Sequence, residues 1–171
     1  MTCVAGVEHR GRVYIGGDSC VSWSSDDVTS TTLTPKVVAH GPLLIGWAGD
    51  LGPCCLVAHS WKPPEPSGEP LRYVAGSLVP SLREALRDAN MRDAAVYLLI
   101  GYAGRLVYAD SDGAVHAFGE GYGAIGCGAS VALGALYALD CIEPGQRISA
   151  ALEAAGRHCP GVGPPYHVLN V

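Results

Sequence analysis

The chain opens Met1-Thr2, and that pair is the first place where residue type and position could do chemistry. An initiator Met before a residue as small as Thr is normally removed, which would leave Thr2 with a free α-amine. A threonine hydroxyl is a poor nucleophile without a base, and its own α-amine can be that base. An α-amine titrates at about 7.7–8.0, so much of it can accept a proton near neutrality. Thr2 is therefore a candidate nucleophile for amide hydrolysis, conditional on the loss of Met1.

Four more short motifs follow in order. Gly16-Gly17-Asp18-Ser19 ends a β-rich run, Lys36 opens another, Gly46-Trp47-Ala48-Gly49 ends the next, and Gly126-Cys127-Gly128 precedes an Ala-rich segment. Taken singly, each has a plainer reading. Asp18 suits a turn at a strand end, Lys36 a solvated surface, and Gly46 and Gly49 tight packing in a buried hairpin.

In order and spacing from residue 2 onward, the set resembles the proteasome β-subunit family, most closely its bacterial relatives of the HslV type. The resemblance covers nearly the whole chain. It implies one domain over residues 1–171 with the N-terminal-nucleophile hydrolase fold, an α+β four-layer αββα sandwich of two antiparallel sheets flanked by helices. It implies a threonine-type endopeptidase, with Thr2 as nucleophile and its α-amine as general base. Lys36 becomes the lysine beside the nucleophile, Asp18 the acid that pairs with and orients it, and Gly46 the oxyanion donor. Cys127 stands where the family usually has a Ser that positions the α-amine, and a thiol is the weaker hydrogen-bond partner. Arg157 and Pro160 stand where the proteasome branch has an Asp and a Ser, so that part of the proton network is missing or rebuilt.

The resemblance also implies a peptide or unfolded-protein substrate, a homo-oligomeric ring and an ATPase unfoldase that feeds it, with no cofactor and no metal. Two alternatives remain: a catalytically impaired structural ring subunit, and a small-molecule amidohydrolase on the same fold, since fold does not choose among amide substrates.

The elements that must position these residues can be read from periodicity and turn chemistry. Thr2 to Val7 and Arg12 to Gly17 form a hairpin around His9-Arg10-Gly11, and Lys36 to Ala39 pairs with Leu43 to Ala48 around His40-Gly41-Pro42. Between them Ser19 to Pro35 is polar and reads as a loop or weak strand. Asp50 to His59 suits a helix capped by Asp50. Leu71, Val74, Leu78, Leu82 and Leu86 recur at helical spacing, with Pro80 expected to kink or break that helix. Strands follow at Ala94 to Tyr102, Leu106 to Ala109 and Ala114 to Phe118, helices at about Ser130 to Leu139 and Gln146 to Gly156, and a last strand at Tyr166 to Val171. This order suggests two stacked antiparallel sheets between helical layers.

Bulk properties exclude several classes. The 171 residues can bury a substantial core, and a hydrophobic fraction of 49% excludes disorder. Eleven basic against sixteen acidic residues give a net charge of −5, which argues against nucleic-acid binding. No apolar run approaches the roughly 18 residues of a membrane span, and Val7-Glu8-His9-Arg10 follows the start too soon for a signal peptide, so a cytoplasmic location is expected. The seven cysteines lack regular spacing or a C-x-x-C pair and read, in a reducing compartment, as small buried hydrophobes rather than a disulfide framework. Gly121 to Gly126 formally matches G-x-G-x-x-G but follows hairpins, where a dinucleotide site needs a βαβ unit. The histidines lack metal-ligand spacing.

Overall fold

The structure is a computed structural model that describes residues 1–23 and 28–171. Strands β1 (Val4–His9) and β2 (Arg12–Gly17) pair antiparallel. Arg10 and Gly11 between them both have positive φ, 49° and 76°, the conformation that two-residue hairpins favour because it matches strand twist. β3 (Cys20–Trp23) and β4 (Val28–Thr31) form a small hairpin with Cys20 opposite Thr31. The polar stretch Ser19–Pro35, read as a loop or weak strand, holds this strand pair; residues 24–27 within it lie outside the described residues.

β5 (Val37–His40) and β6 (Leu43–Gly49) follow, then helix α1 (Leu51–His59). Asp50 precedes α1 but does not cap it: its carboxylate accepts from Ala95 N–H at 2.9 Å and ties α1 to the neighbouring strand. The next helical stretch runs unbroken through α2 (Pro70–Tyr73), a π-helical turn at Val74–Leu78, and α3 (Val79–Asp88). Pro80 has no N–H to give, and the helix widens just before it to i→i+5 bonding, with Val79 N–H donating to Val74 O. The π turn absorbs the Pro, so no break occurs.

The remaining elements are β7 (Val96–Tyr102), β8 (Arg105–Asp110), β9 (Val115–Ala117), β10 (Tyr122–Ile125), α4 (Ala129–Ala138), α5 (Pro144–His158) and β11 (His167–Asn170). The Gly121–Gly126 stretch is strand β10, paired antiparallel with β1, which removes the βαβ context a dinucleotide site requires.

One sheet has the order β10-β1-β2-β11 and the other β5-β6-β7-β8-β9. Three separate hydrophobic clusters show how they stack. Val4, Ile15, Leu44 and Leu99 fill the space between the sheets. Cys3, Leu136, Ile148 and Leu152 pack α4 and α5 on the first sheet. Trp47, Leu78, Leu82 and Leu98 pack α1 to α3 on the second. Three cores require four layers, helix–sheet–sheet–helix, so the expected αββα sandwich is what the chain forms. Among the described residues, no helix is long and apolar enough to cross a membrane.

Candidate active site

The register of β1 places the N-terminus. Val4 stands opposite Gly17 of β2 on one side and Ile125 of β10 on the other. Thr2, two residues earlier, must therefore emerge between the continuations of those strands, with Asp18 on one flank and Gly126 and Cys127 on the other. Lys36, immediately before β5 in the facing sheet, reaches the same point from across the inter-sheet core.

Thr2 is 8% exposed. Lys36 Nζ donates to Thr2 Oγ1 at 3.0 Å and to Asp18 Oδ1 at 2.9 Å, and it also donates to the carbonyls of Cys20 and Met1. Asp18 is fully buried and has no spare capacity: besides Lys36 it accepts from Cys3 N–H (2.9 Å), Cys20 N–H (2.9 Å) and Gly163 N–H (3.3 Å). So bonded, the carboxylate cannot turn away, and it holds the Lys36 ammonium on the hydroxyl. Thr2 Oγ1 donates to Met1 O at 2.6 Å, so with Met1 in place the hydroxyl faces the peptide bond that precedes it.

On the other flank, Thr2 N–H donates to Cys127 Sγ at 3.3 Å, and the thiol lies 3.4 Å from Thr2 O. Gly126 has φ of +91°, and a Cβ there would stand 2.2 Å from Thr2 O. Only glycine lets this loop close on Thr2. Burial pushes the neighbouring Cys3 thiol up to about 12, with the Asp18 charge adding to it, so Cys3 stays neutral and behaves as a core side chain.

Gly46 is not brought to Thr2. A Cβ on it would meet Val4 Cγ1 at 2.5 Å, inside the inter-sheet core. The ladder explains the direction of its N–H. Trp47 N–H donates to Lys36 O and Asp50 N–H to Ala95 O, so the odd residues of β6 direct their hydrogen-bonding groups toward β5 and the even ones toward β7. Gly46 is committed to β7. Gly49, an odd position past the start of β5, directs its N–H to the side where Lys36 and Thr2 lie. It has φ of +129°, and its missing Cβ would stand 2.1 Å from Ala95 O. The signal that could have separated the two is parity along β6 counted from Lys36, which needs the pairing to be known.

Thr2 and Gly49 stand between two hollows. One, of about 390 Å³, is walled by Val21, Lys36, Trp47 and Cys54. The other, of about 450 Å³, is walled by Tyr97, Tyr108, Gly126 and Cys127. Among the described residues no group of three or more His, Cys, Asp or Glu side chains is placed to hold a metal.

The same architecture recurs in solved structures. A BPH protein of Thiobacillus denitrificans, in complex with epoxomicin, matches with a TM-score of 0.85 at 18% identity, over 99% of this chain and 98% of that one. HslV from Trypanosoma brucei matches with 0.75 at 20% identity over 99% and 98%, and Anbu, an ancestral β-subunit from Yersinia bercovieri, with 0.72 at 17% over 99% and 81%. The chain has the HslV-type fold. No protein-family model and no curated protein sequence matches it.

Arg157 and Pro160 lie at and just beyond the end of α5. Both residues are exposed. The loop beyond them turns back to the site by its backbone: Gly163 N–H reaches Asp18, Gly163 O accepts from Ser19 N–H at 3.0 Å, and a Cβ on Gly161 would overlap the Met1 side chain.

Proposed function

We propose that this chain, once Met1 is removed, is an N-terminal threonine hydrolase that cleaves peptide bonds. The observation that carries this reading is the buried chain Asp18–Lys36–Thr2, with contacts of 2.9 and 3.0 Å. Catalysis of this kind needs the hydroxyl proton to leave and the resulting charge to be stabilised. The freed α-amine of Thr2 takes the proton while Oγ1 attacks the substrate carbonyl carbon. The Lys36 ammonium stabilises the forming alkoxide. Gly49 N–H, in place of Gly46, receives the carbonyl oxygen as it becomes an oxyanion; such a donor is worth about 10²–10³ in rate. The α-amine then gives its proton to the leaving amine, an ester on Thr2 remains, and water hydrolyses it. Cys127 holds the amine at the distance its peptide N–H now keeps.

The α-amine lies on the Cys127 side, so the leaving amine departs toward the hollow of Tyr97 and Tyr108. The acyl part then lies toward Trp47 and Cys54. Assembly into a ring, feeding by an ATPase and a cytoplasmic setting belong to the same proposal and rest on the resemblance to HslV-type proteins.

The test is peptide hydrolysis by protein whose intact mass shows Met1 gone, together with labelling by epoxomicin, the compound bound in the BPH structure. Thr2→Ala should abolish both. Unchanged hydrolysis in Thr2→Ala sinks the reading. A catalytically silent ring subunit is the second reading, favoured by the exposed Arg157 and Pro160. It is supported instead if the Met1-free protein assembles but neither cleaves nor labels. A screen of small amides alongside peptides separates an amidohydrolase.

A further inference from the structure

The HslV-type resemblance assigns no role to a second thiol near Thr2, yet the fold places one there. Cys127 Sγ accepts from Thr2 N–H at 3.3 Å. Cys159, the residue just after α5, has its Sγ 3.9 Å from the carbonyl oxygen of that same Cys127. Cys127 is exposed and Cys159 partly so, whereas Cys3 and Cys20 are buried. Accessible thiols with a second thiol at hand are the ones that oxidise reversibly. Cys127 also sits between Gly126 and Gly128, in a loop with little side-chain bulk to resist a change of χ1.

We propose that Cys127 and Cys159 form a thiol switch on the Thr2 amine, open when reduced and closed by a disulfide when a peroxide is present. Cys127 thiolate attacks one peroxide oxygen, the O–O bond breaks, and a sulfenic acid and one water result. Cys159 thiolate then attacks the sulfenic sulfur, the S–S bond forms, and the second water leaves. Two thiols are oxidised and one peroxide is reduced. Closing the bond turns Cys127 Sγ away from Thr2 N, so the amine loses the partner that orients it. It also draws on the loop from Cys159 to Gly163, which carries the Gly163 N–H bond to Asp18.

The consequence for activity rests on Thr2 being the nucleophile; formation of the bond does not. The experiment uses protein beginning at Thr2 with Cys55→Ser and Cys141→Ser, which removes the other exposed thiols. It is treated with hydrogen peroxide and followed by intact mass, peptide mapping, labelling of the Thr2 α-amine with an amine reagent, and peptide hydrolysis. The expected result is a loss of about 2 Da and a mapped Cys127–Cys159 bond. The amine-labelling rate changes and hydrolysis falls about tenfold, the scale of one lost hydrogen bond; dithiothreitol reverses both. Adding Cys159→Ser removes the crosslink and the reversible response.

Oxidation of Cys127 to the sulfinic acid without a crosslink overturns the proposal. So does a crosslink that leaves the amine-labelling rate unchanged. A protein that hydrolyses nothing in either state counts against the hydrolase reading, and the switch is then judged on the crosslink and the amine alone.

Discussion

Lys36 and Asp18 form a salt bridge of 2.9 Å in which the carboxylate is fully buried and the ammonium nearly so. Breaking such a pair from one side leaves an uncompensated charge and costs about 3–5 kcal/mol. Lys36→Met should therefore lower the melting temperature strongly as well as abolish hydrolysis. Asp18→Asn, Lys36→Met together should recover part of the stability and none of the activity. Thermal unfolding and a peptide assay on the two variants check this.

Gly46 and Gly49 separate by a rescue experiment. Gly46→Ala collides with Val4 Cγ1 at 2.5 Å, an overpacking that costs about 1–3 kcal/mol. Adding Val4→Ala opens the space, so the double variant should regain stability and keep its hydrolytic rate. Gly49→Ala meets backbone at Ala95 O and needs φ of +129°; no side-chain change relieves it. It should lose activity in either background, read as kcat of the soluble fraction.

The thiols should react in two groups. Against the expectation of buried thiols, Cys55, Cys127 and Cys141 are exposed and Cys159 is half-buried, while Cys3, Cys20 and Cys54 are buried. Burial raises the Cys3 and Cys54 thiols from 9.0 to about 12. With a thiol reagent near pH 8, the first group should modify in the native state and the second only on unfolding, as mass mapping of the modified protein would record.

The same two thiols set an alkaline limit. Their folded pKa values lie above the unfolded ones, so the unfolded chain loses these protons first. Their contribution is fully present below pH 9 and is lost progressively between about 9 and 12, by at most about 1.4 kcal/mol per pH unit for each thiol. Urea midpoints should fall above pH 9, and Cys54→Ala should flatten that fall.

Arg147 is buried and donates to Leu136 O at the end of α4, with its guanidinium 5.2 Å from the Tyr122 ring centre. It closes a carbonyl that the helix itself leaves open. Arg147→Met should cost about 1–3 kcal/mol in denaturant unfolding while leaving the rate at Thr2 unchanged, because its hydrogen bonds go to Leu136 O in the last turn of α4.

The hairpins were legible because their signals are local. Arg10-Gly11 and Ala103-Gly104 both take positive φ, as turn chemistry requires, and the apolar spacing from Leu71 to Leu86 marks a buried helix face whatever packs on it. Asp18 and Lys36 were legible as candidates through their order along the chain. Other readings failed where a partner distant in sequence decided the outcome. Asp50 had the right type and place for a cap, but Ala95 N–H competed for its carboxylate. Of the kink or break expected at Pro80, no break occurs: a π turn at Val74–Leu78 precedes it and the helix runs on.

The sequence by itself determined the layers and named the candidates for the site: Thr2, an acid, a lysine, a glycine-rich strand end and a thiol between glycines. Those follow from residue type and from periods of two and 3.6, which every residue carries locally. Only the tertiary structure decided that Gly49, rather than Gly46, faces Thr2. That Cys159 stands behind Cys127 was likewise a matter of packing. Which way an N–H points depends on the parity of strand pairing, and pairing is a property of two segments joined through the core.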